Sequence, residues 1–249
     1  MRHRLTRFSK PIKTLSQKLL LLPFGRRNFC ANSARCAEPF LRFKTLVMWT
    51  PALGRIGLEN MKNVYEQVPT FENEKYMLRF VKIDDAKDLL EVYSDKNALP
   101  FFNSDNCHGD NFYYDDLEQM KKAIDFWLES YKSRWFVRWC IVDKISGEVS
   151  GTIELFHRKA DDFFNHTGIL RLDLKSEYEK SEEIKSIVTL LLDSSYSLFE
   201  TKIIATKIPL YAIERKSAFE SMGFSKSEEF LIGTMDGYSY KDYWIREKL

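Results

Sequence analysis

Two carboxylates stand where strand patterning would fix them well enough to move a proton. Asp173 belongs to the run Ile169–Leu174 (Ile-Leu-Arg-Leu-Asp-Leu). Its alternation sets Arg171 and Asp173 on one face and Leu170, Leu172 and Leu174 on the other. A carboxylate so placed can take a proton from an ammonium through water. The plainer reading is a solvated Arg171–Asp173 pair, which contributes little. Glu154, on the preceding run Val149–Phe156, admits the same two readings. His157 and His166 occur singly, and turn or surface roles account for both. No His, Cys and carboxylate cluster has metal-ligand spacing, so no metal is predicted. The loop Phe101–Tyr114 is aromatic and acidic. Asp105, Asp110, Asp115 and Asp116 beside Tyr113 and Tyr114 would suit a cationic amine, with the rings offering cation–π contact; a solvated loop explains the same composition.

The elements that must hold these groups follow from periodicity. Met77–Val81 alternates as a strand, and Asp84 and Asp85 then suit a helix N-terminus. Leu89, Leu90, Val92 and Tyr93 form that helix's apolar face. A second helix is expected from about Asp115 to Ser130, with its stripe at Leu117, Met120, Ile124, Trp127, Leu128 and Tyr131. Trp135–Val142 reads as a central strand interrupted by Arg138. A connection over Asp143–Glu148 containing Gly147 joins it to Val149–Phe156 as a hairpin. After the strand Ile169–Leu174 comes a short charged turn, then one long amphipathic helix over Glu182–Glu200 with Ser181 as its N-cap. A strand over Lys202–Ile208, a helix closing at Glu-Ser-Met-Gly-Phe, and strands over Phe230–Met235 and Tyr238–Arg246 complete the chain. The Asp236-Gly237 pair between the last two signals a hairpin. The fold class is α/β or α+β: one domain, a mixed sheet with helices on its faces.

The net charge of +2 over 249 residues conceals two parts. Met1–Asn60 carries 12 Lys/Arg against Glu38 and Glu59 only, whereas the rest of the chain is at −8. Residues 1–60 therefore read as a basic leader or extension and residues 61–249 as the folded domain. The leader's Arg/Ser/Leu composition fits a mitochondrial transit peptide, a patch for nucleic acid or anionic lipid, or an unstructured extension ahead of a start at Met61. The last is taken here, with a cytoplasmic location and no nucleic-acid partner; a genuine transit peptide would make it mitochondrial. No run approaches the ~20 apolar residues of a membrane span. Cys30, Cys36, Cys107 and Cys140 show no CxxC spacing, and Cys140 reads as a small buried hydrophobe.

Three segments carry a resemblance. They are the hairpin Ser146–Leu155, the strand-to-helix passage Leu170–Phe199, and Phe-Glu-Ser-Met-Gly-Phe at Phe219–Phe224. In this order, over about Lys75–Lys248, the chain resembles the GNAT superfamily of N-acyltransferases, nearest the branch of ribosomal-protein and antibiotic acetyltransferases. The resemblance implies acetyl-CoA as cosubstrate and a primary amine, small molecule or protein N-terminus, attacking its thioester in a ternary complex. The acceptor would lie near Phe101–Tyr114. Backbone donors around Leu172 and Leu174 would polarise the thioester carbonyl. Lys175, Lys180, Ser181 and Glu182 would lie along the coenzyme, and Asp173 or Glu154 would accept the proton. The family's Arg/Gln-x-x-Gly-x-Gly/Ala turn, whose amides cradle a diphosphate, corresponds to Glu177-Tyr-Glu-Lys-Ser-Glu-Glu-Ile184, which has no glycine. That places Glu179, Glu182 and Glu183 where phosphates would sit. Phe219 replaces the family's frequent Tyr acid, and Ala212 stands near its coenzyme-contacting Asn. A GNAT-fold module without coenzyme or catalysis is the alternative these departures imply.

Overall fold

A computed structural model describes residues 63–248 of the chain. The expectations for the basic leader, Cys30 and Cys36 lie outside the described residues.

Ten strands and five α-helices follow in the order β1 (Phe71–Glu72), β2 (Tyr76–Phe80), α1 (Ala86–Tyr93), α2 (Leu117–Lys132), β3 (Val137–Asp143), β4 (Val149–Arg158), β5 (Thr167–Leu174), α3 (Ser181–Val188), α4 (Leu192–Leu198), β6 (Ile203–Lys207), α5 (Ile213–Ser221), β7 (Ser225–Lys226), β8 (Leu231–Ile232), β9 (Ser239–Tyr240) and β10 (Tyr243–Glu247). Eight strands form one sheet in the order β1-β2-β3-β4-β5-β6-β10-β7, and β8 and β9 form a separate hairpin. Every pairing is antiparallel except β5 with β6. The mixed sheet with helices on its faces is the architecture expected from the periodicities.

The alternation of the strands divides the core in two. Leu170, Leu172 and Leu174 face α3, α4 and α5, with Trp139, Ile141, Ile153 and Leu155 beside them. Cys140, Val142 and Val149 face α1 and α2, meeting Leu89, Tyr93, Met120 and Trp127. The α2 stripe is thus core from Met120 onward, whereas Leu117, expected in it, is exposed in the first turn; Asp116 caps that helix by accepting from the Glu118 amide at 3.0 Å. Gly147 (φ 79°) closes the β3–β4 hairpin in a left-handed turn that glycine adopts without strain.

Three boundaries depart from the sequence reading. The long helix expected over 182–200 is two helices. The Leu190 and Leu191 amides bond three residues back, to Ile187 and Val188, and this tightened turn ends α3 before α4 begins. Ser181 is not the cap: Lys180 has the extended N-cap backbone and Ser181 is the first helical residue. The last expected strand is broken at Asp242, whose φ of 66° redirects the chain from the β8–β9 hairpin onto β6.

Candidate functional site

A row of alternating charges crosses the sheet on its α1/α2 face. Arg138 on β3 stands directly opposite Glu154 on β4, and Glu154 opposite Arg171 on β5. The same alternation that sends the leucines of β5 to one core sends Arg171 and Asp173 to the other side. Arg138 Nη2 donates to Glu154 Oε2, and Arg171 Nη1 to Glu154 Oε1 at 3.1 Å. Arg138 Nη1 also reaches Asp173 Oδ2 (3.2 Å), the Tyr93 hydroxyl (2.7 Å) and Thr152 Oγ1 (3.0 Å). Tyr93 donates to Asp173 Oδ2 at 2.8 Å. Arg138, Glu154 and Asp173 are all buried, and Arg171 is partly so. Burial pushes the Tyr93 hydroxyl well above its ordinary range. Charges withdrawn from water persist only when paired, and this row pairs them strand by strand. Glu154 is therefore held through both oxygens, whereas Asp173 is paired through Oδ2 and its buried Oδ1 has no hydrogen-bond partner. The expected solvated Arg171–Asp173 pair is absent: Asp173 takes Arg138, while Arg171 takes Glu154.

The row ends at a gap in the sheet. Strands β5 and β6 pair only from Gly168↔Ile204 to Leu170↔Thr206 and then part. Gly168 permits the close approach, since a Cβ there would lie 2.6 Å from Ile204 Cδ1. Side chains of the same protein bridge the opening. Asp105 lies between the strands: its carboxylate accepts from Lys207 Nζ at 2.6 and 2.7 Å and from the Tyr243 hydroxyl at 3.2 Å, and its carbonyl accepts from Arg171 Nη2 at 2.9 Å. Further along, Arg215 of α5 donates Nη2 to the Leu172 carbonyl (2.8 Å) and Nη1 to the Phe101 carbonyl (3.0 Å), and grips both oxygens of Glu179. Arg215 is 2% exposed.

The turn ahead of α3 is arranged differently from the expectation that its three glutamates crowd a phosphate position. Glu179 turns inward to Arg215. Glu183 turns to β2, accepting from Lys75 Nζ and the Tyr76 hydroxyl, each at 2.6 Å. Only Glu182 stays exposed at the helix start. The Ser181 amide instead donates to Glu214 of α5 at 2.8 Å, so a carboxylate of the chain itself sits at this helix N-terminus. Lys175 pairs with Glu91 (2.7 Å), Lys180 is exposed, and Leu174 is buried against Gly151.

On the α1/α2 face a cavity of about 520 Å³ lies over the charge row. Arg138, Glu154 and Arg171 contribute to it from the sheet, Trp127 and Phe136 from α2 and the start of β3, and Cys107 and Phe112 from the α1–α2 loop. Burial raises the Cys107 thiol above its usual range, which keeps it protonated. The acidic loop does not converge here as its composition suggests. Asp105 is spent on Lys207, Asp116 caps α2, Asp115 is exposed, and only Asp110 lines the cavity. Phe101 instead packs tilted against Tyr211, with ring centroids 6.0 Å apart. His157 Nδ1 donates to the Phe199 carbonyl (2.7 Å), and its Nε2 meets His166 Nδ1 at 2.9 Å, away from the charge row. Among the described residues no group of three potential metal ligands occurs.

Arg215, Arg138 and Tyr93 were not singled out as site residues by sequence reasoning. Arg215 had a signal: with Ala212, Ala218, Phe219 and Met222 it occupies the buried face of α5, and arginine at a core-facing helical position demands a partner.

No family model matches the chain, and no curated protein matches its sequence. Solved structures do match its shape. It is similar to the ribosomal-protein-S5-alanine acetyltransferase of Vibrio fischeri, with 18% identity and a TM-score of 0.54 over 72% of this chain and 97% of that one. It is similar to a GNAT-family acetyltransferase of Bacillus anthracis, with 11% identity and a TM-score of 0.52 over 72% and 99%. Mycobacterium smegmatis RimJ, solved in complex with CoA-disulfide, matches with 13% identity and a TM-score of 0.52 over 68% and 79%.

Proposed function

We propose that this chain, which carries the GNAT fold, is an N-acyltransferase that moves an acetyl group from acetyl-CoA to a primary amine by direct attack in a ternary complex. One observation carries the reading: Arg171 joins the cavity to the strand gap, lining the first and donating to Asp105 in the second. An acceptor in the cavity and an acyl donor in the gap would thereby share one edge of β5.

In this reading the coenzyme's amide-bearing arm lies along Leu172–Leu174, where the parted strand presents backbone groups. Its diphosphate approaches the amides of α3, flanked by Lys175, Lys180, Ser181 and Glu182. Backbone donors near Leu172 and Leu174 stabilise the developing oxyanion. The amine nitrogen bonds to the acyl carbon, the C–S bond breaks, and its electron pair leaves on sulfur. Phe219 has no proton to give, so the thiolate is protonated by the departing amine proton, relayed through water and Glu154 or Asp173. For the arm to enter, Arg215 must release the Leu172 carbonyl, and for the diphosphate to dock, Glu214 must leave the Ser181 amide.

That requirement favours a second reading, a GNAT-fold binding module without coenzyme. Arg215, Glu179 and Glu214 occupy from within the positions a coenzyme would claim. Calorimetric titration of the full chain with acetyl-CoA separates the two. Saturable micromolar binding, about tenfold tighter in Glu214→Gln, an exposed position, supports the enzyme. Absence of binding by either protein at millimolar coenzyme leaves the module.

A further inference from the structure

The cavity over the charge row has the volume of a small-molecule site, and its lining restricts the charge of what can enter. The Arg138 guanidinium lies 4.2 Å from the Trp127 ring centroid and 5.8 Å from that of Phe136, and Arg171 lies 5.5 Å from Phe156. Three of the rings that would attract a cationic ligand, Trp127, Phe136 and Phe156, are thus already engaged by resident cations. The one carboxylate on the floor, Glu154, has each oxygen committed to an arginine. An alkylammonium would meet two guanidinium charges, with Glu154 already bound to both and Asp110 only at the solvent-exposed rim, and like charges repel strongly away from bulk water.

The same pairing bears on the chemistry. An alkyl amine must lose a proton before it attacks; both oxygens of Glu154 are bound to arginines, and Asp173, whose Oδ1 is unpartnered, does not line the cavity. Of the other titratable lining groups, the Cys107 thiol is kept protonated by burial, and Asp110 and His108 lie at the exposed rim, where Asp110 accepts from the Phe112 amide and the Tyr114 hydroxyl. An aryl amine avoids the difficulty. Its lone pair is delocalised into the ring, so it is uncharged at neutral pH and can attack without a base.

We propose that the cavity is a site for an uncharged aryl amine, its ring held among Phe112, Trp127 and Phe156 and its amino group toward the charge row. The fate of that amino group rests on the acyl-transfer reading: nitrogen bonds to the acyl carbon, the thioester C–S bond breaks onto sulfur, and the nitrogen's proton passes to the thiolate through water. The occupancy of the cavity does not rest on it.

The test is calorimetric titration of the full chain at neutral pH, without coenzyme, using 1-aminonaphthalene and its alkylammonium counterpart 1-naphthylmethylamine. The aryl amine is expected to bind at least tenfold tighter, and Phe112→Ala to weaken it about tenfold. Should Phe112→Ala lose its fold by circular dichroism, Met235→Trp, at a rim position 64% exposed, serves to block the mouth with the same expected loss. Equal or tighter binding of the alkylammonium, or no binding of either at millimolar concentration, overturns the assignment. Incubation with acetyl-CoA and mass spectrometry then separate the two ideas. Aryl amine bound but never acetylated keeps the site and removes acyl transfer. Alkyl amines acetylated with no aryl amine bound keeps acyl transfer and removes the site.

Discussion

At the scale of single residues, Arg138 carries more of the site than any other side chain. It is 3% exposed and balances two buried carboxylates from two neighbouring strands. Arg138→Met keeps much of the volume but leaves Glu154 and Asp173 with only Arg171 nearby. Removing one partner from a buried ion pair costs about 3–5 kcal/mol, and urea denaturation should show a loss of that size. Arg138→Lys should recover little of it, since an ammonium cannot reach Asp173, Glu154 and Tyr93 from one planar fork or stack on Trp127 in the same way. An Arg138→Met protein as stable as the parent would mean that the row is better solvated than its burial implies.

At the scale of elements, α3 is tied to β2 through Glu183, Lys75 and Tyr76. Burial alone would raise the Glu183 carboxyl, but hydrogen bonds from Lys75 and Tyr76 outweigh it, and the net shift is downward. Burial, reinforced by the bond to Glu183, drives the Tyr76 phenol far upward. A depressed carboxyl stabilises the fold above its unfolded value, about 4.3, and that contribution fades as pH falls through the lower folded value. A raised phenol stabilises below about 10 and is lost as pH climbs toward the folded value. Melting temperature plotted against pH should thus have an acid limb that flattens in Glu183→Gln; an unchanged acid limb would place its origin elsewhere. The sequence showed that these elements exist more clearly than it showed how they are tied. Alternation in residues 169–174 and the stripe of α2 were legible because each follows from one period of the local chain. The break of the helix after Val188, the turn at Asp242 and the grip of Arg215 on Glu179 were not. The first is a local switch to bonding three residues back, the second a backbone angle that Asp tolerates without advertising, and the third a partner 36 residues distant. The same holds for the site. Glu154 and Asp173 were legible as strand carboxylates, read as solvated or as proton acceptors, but their burial and pairing were set by strand register and packing, which no local pattern encodes.

At the scale of the whole molecule, the eight-stranded sheet is held together at its middle by little backbone. Only three residue pairs, Gly168↔Ile204 to Leu170↔Thr206, join β5 to β6, whereas β4 and β5 are paired over eight, from Gly151↔Leu174 to Arg158↔Thr167. Beyond those three pairs the join passes to side chains, Asp105 with Lys207 and Arg215 with the Leu172 carbonyl. A sheet so built has a natural line of cleavage when it opens by sub-global unfolding. Under native conditions the amides of β6 and β10 should exchange with solvent together, at a lower free energy than those of β3 and β4. Coincident exchange on the two sides of the line would show one cooperative unit. If the two sides do open separately, the strand gap is also a hinge in the unfolding landscape, and whatever binds across it would be felt as slower exchange in β6 and β10 before any change of shape was visible.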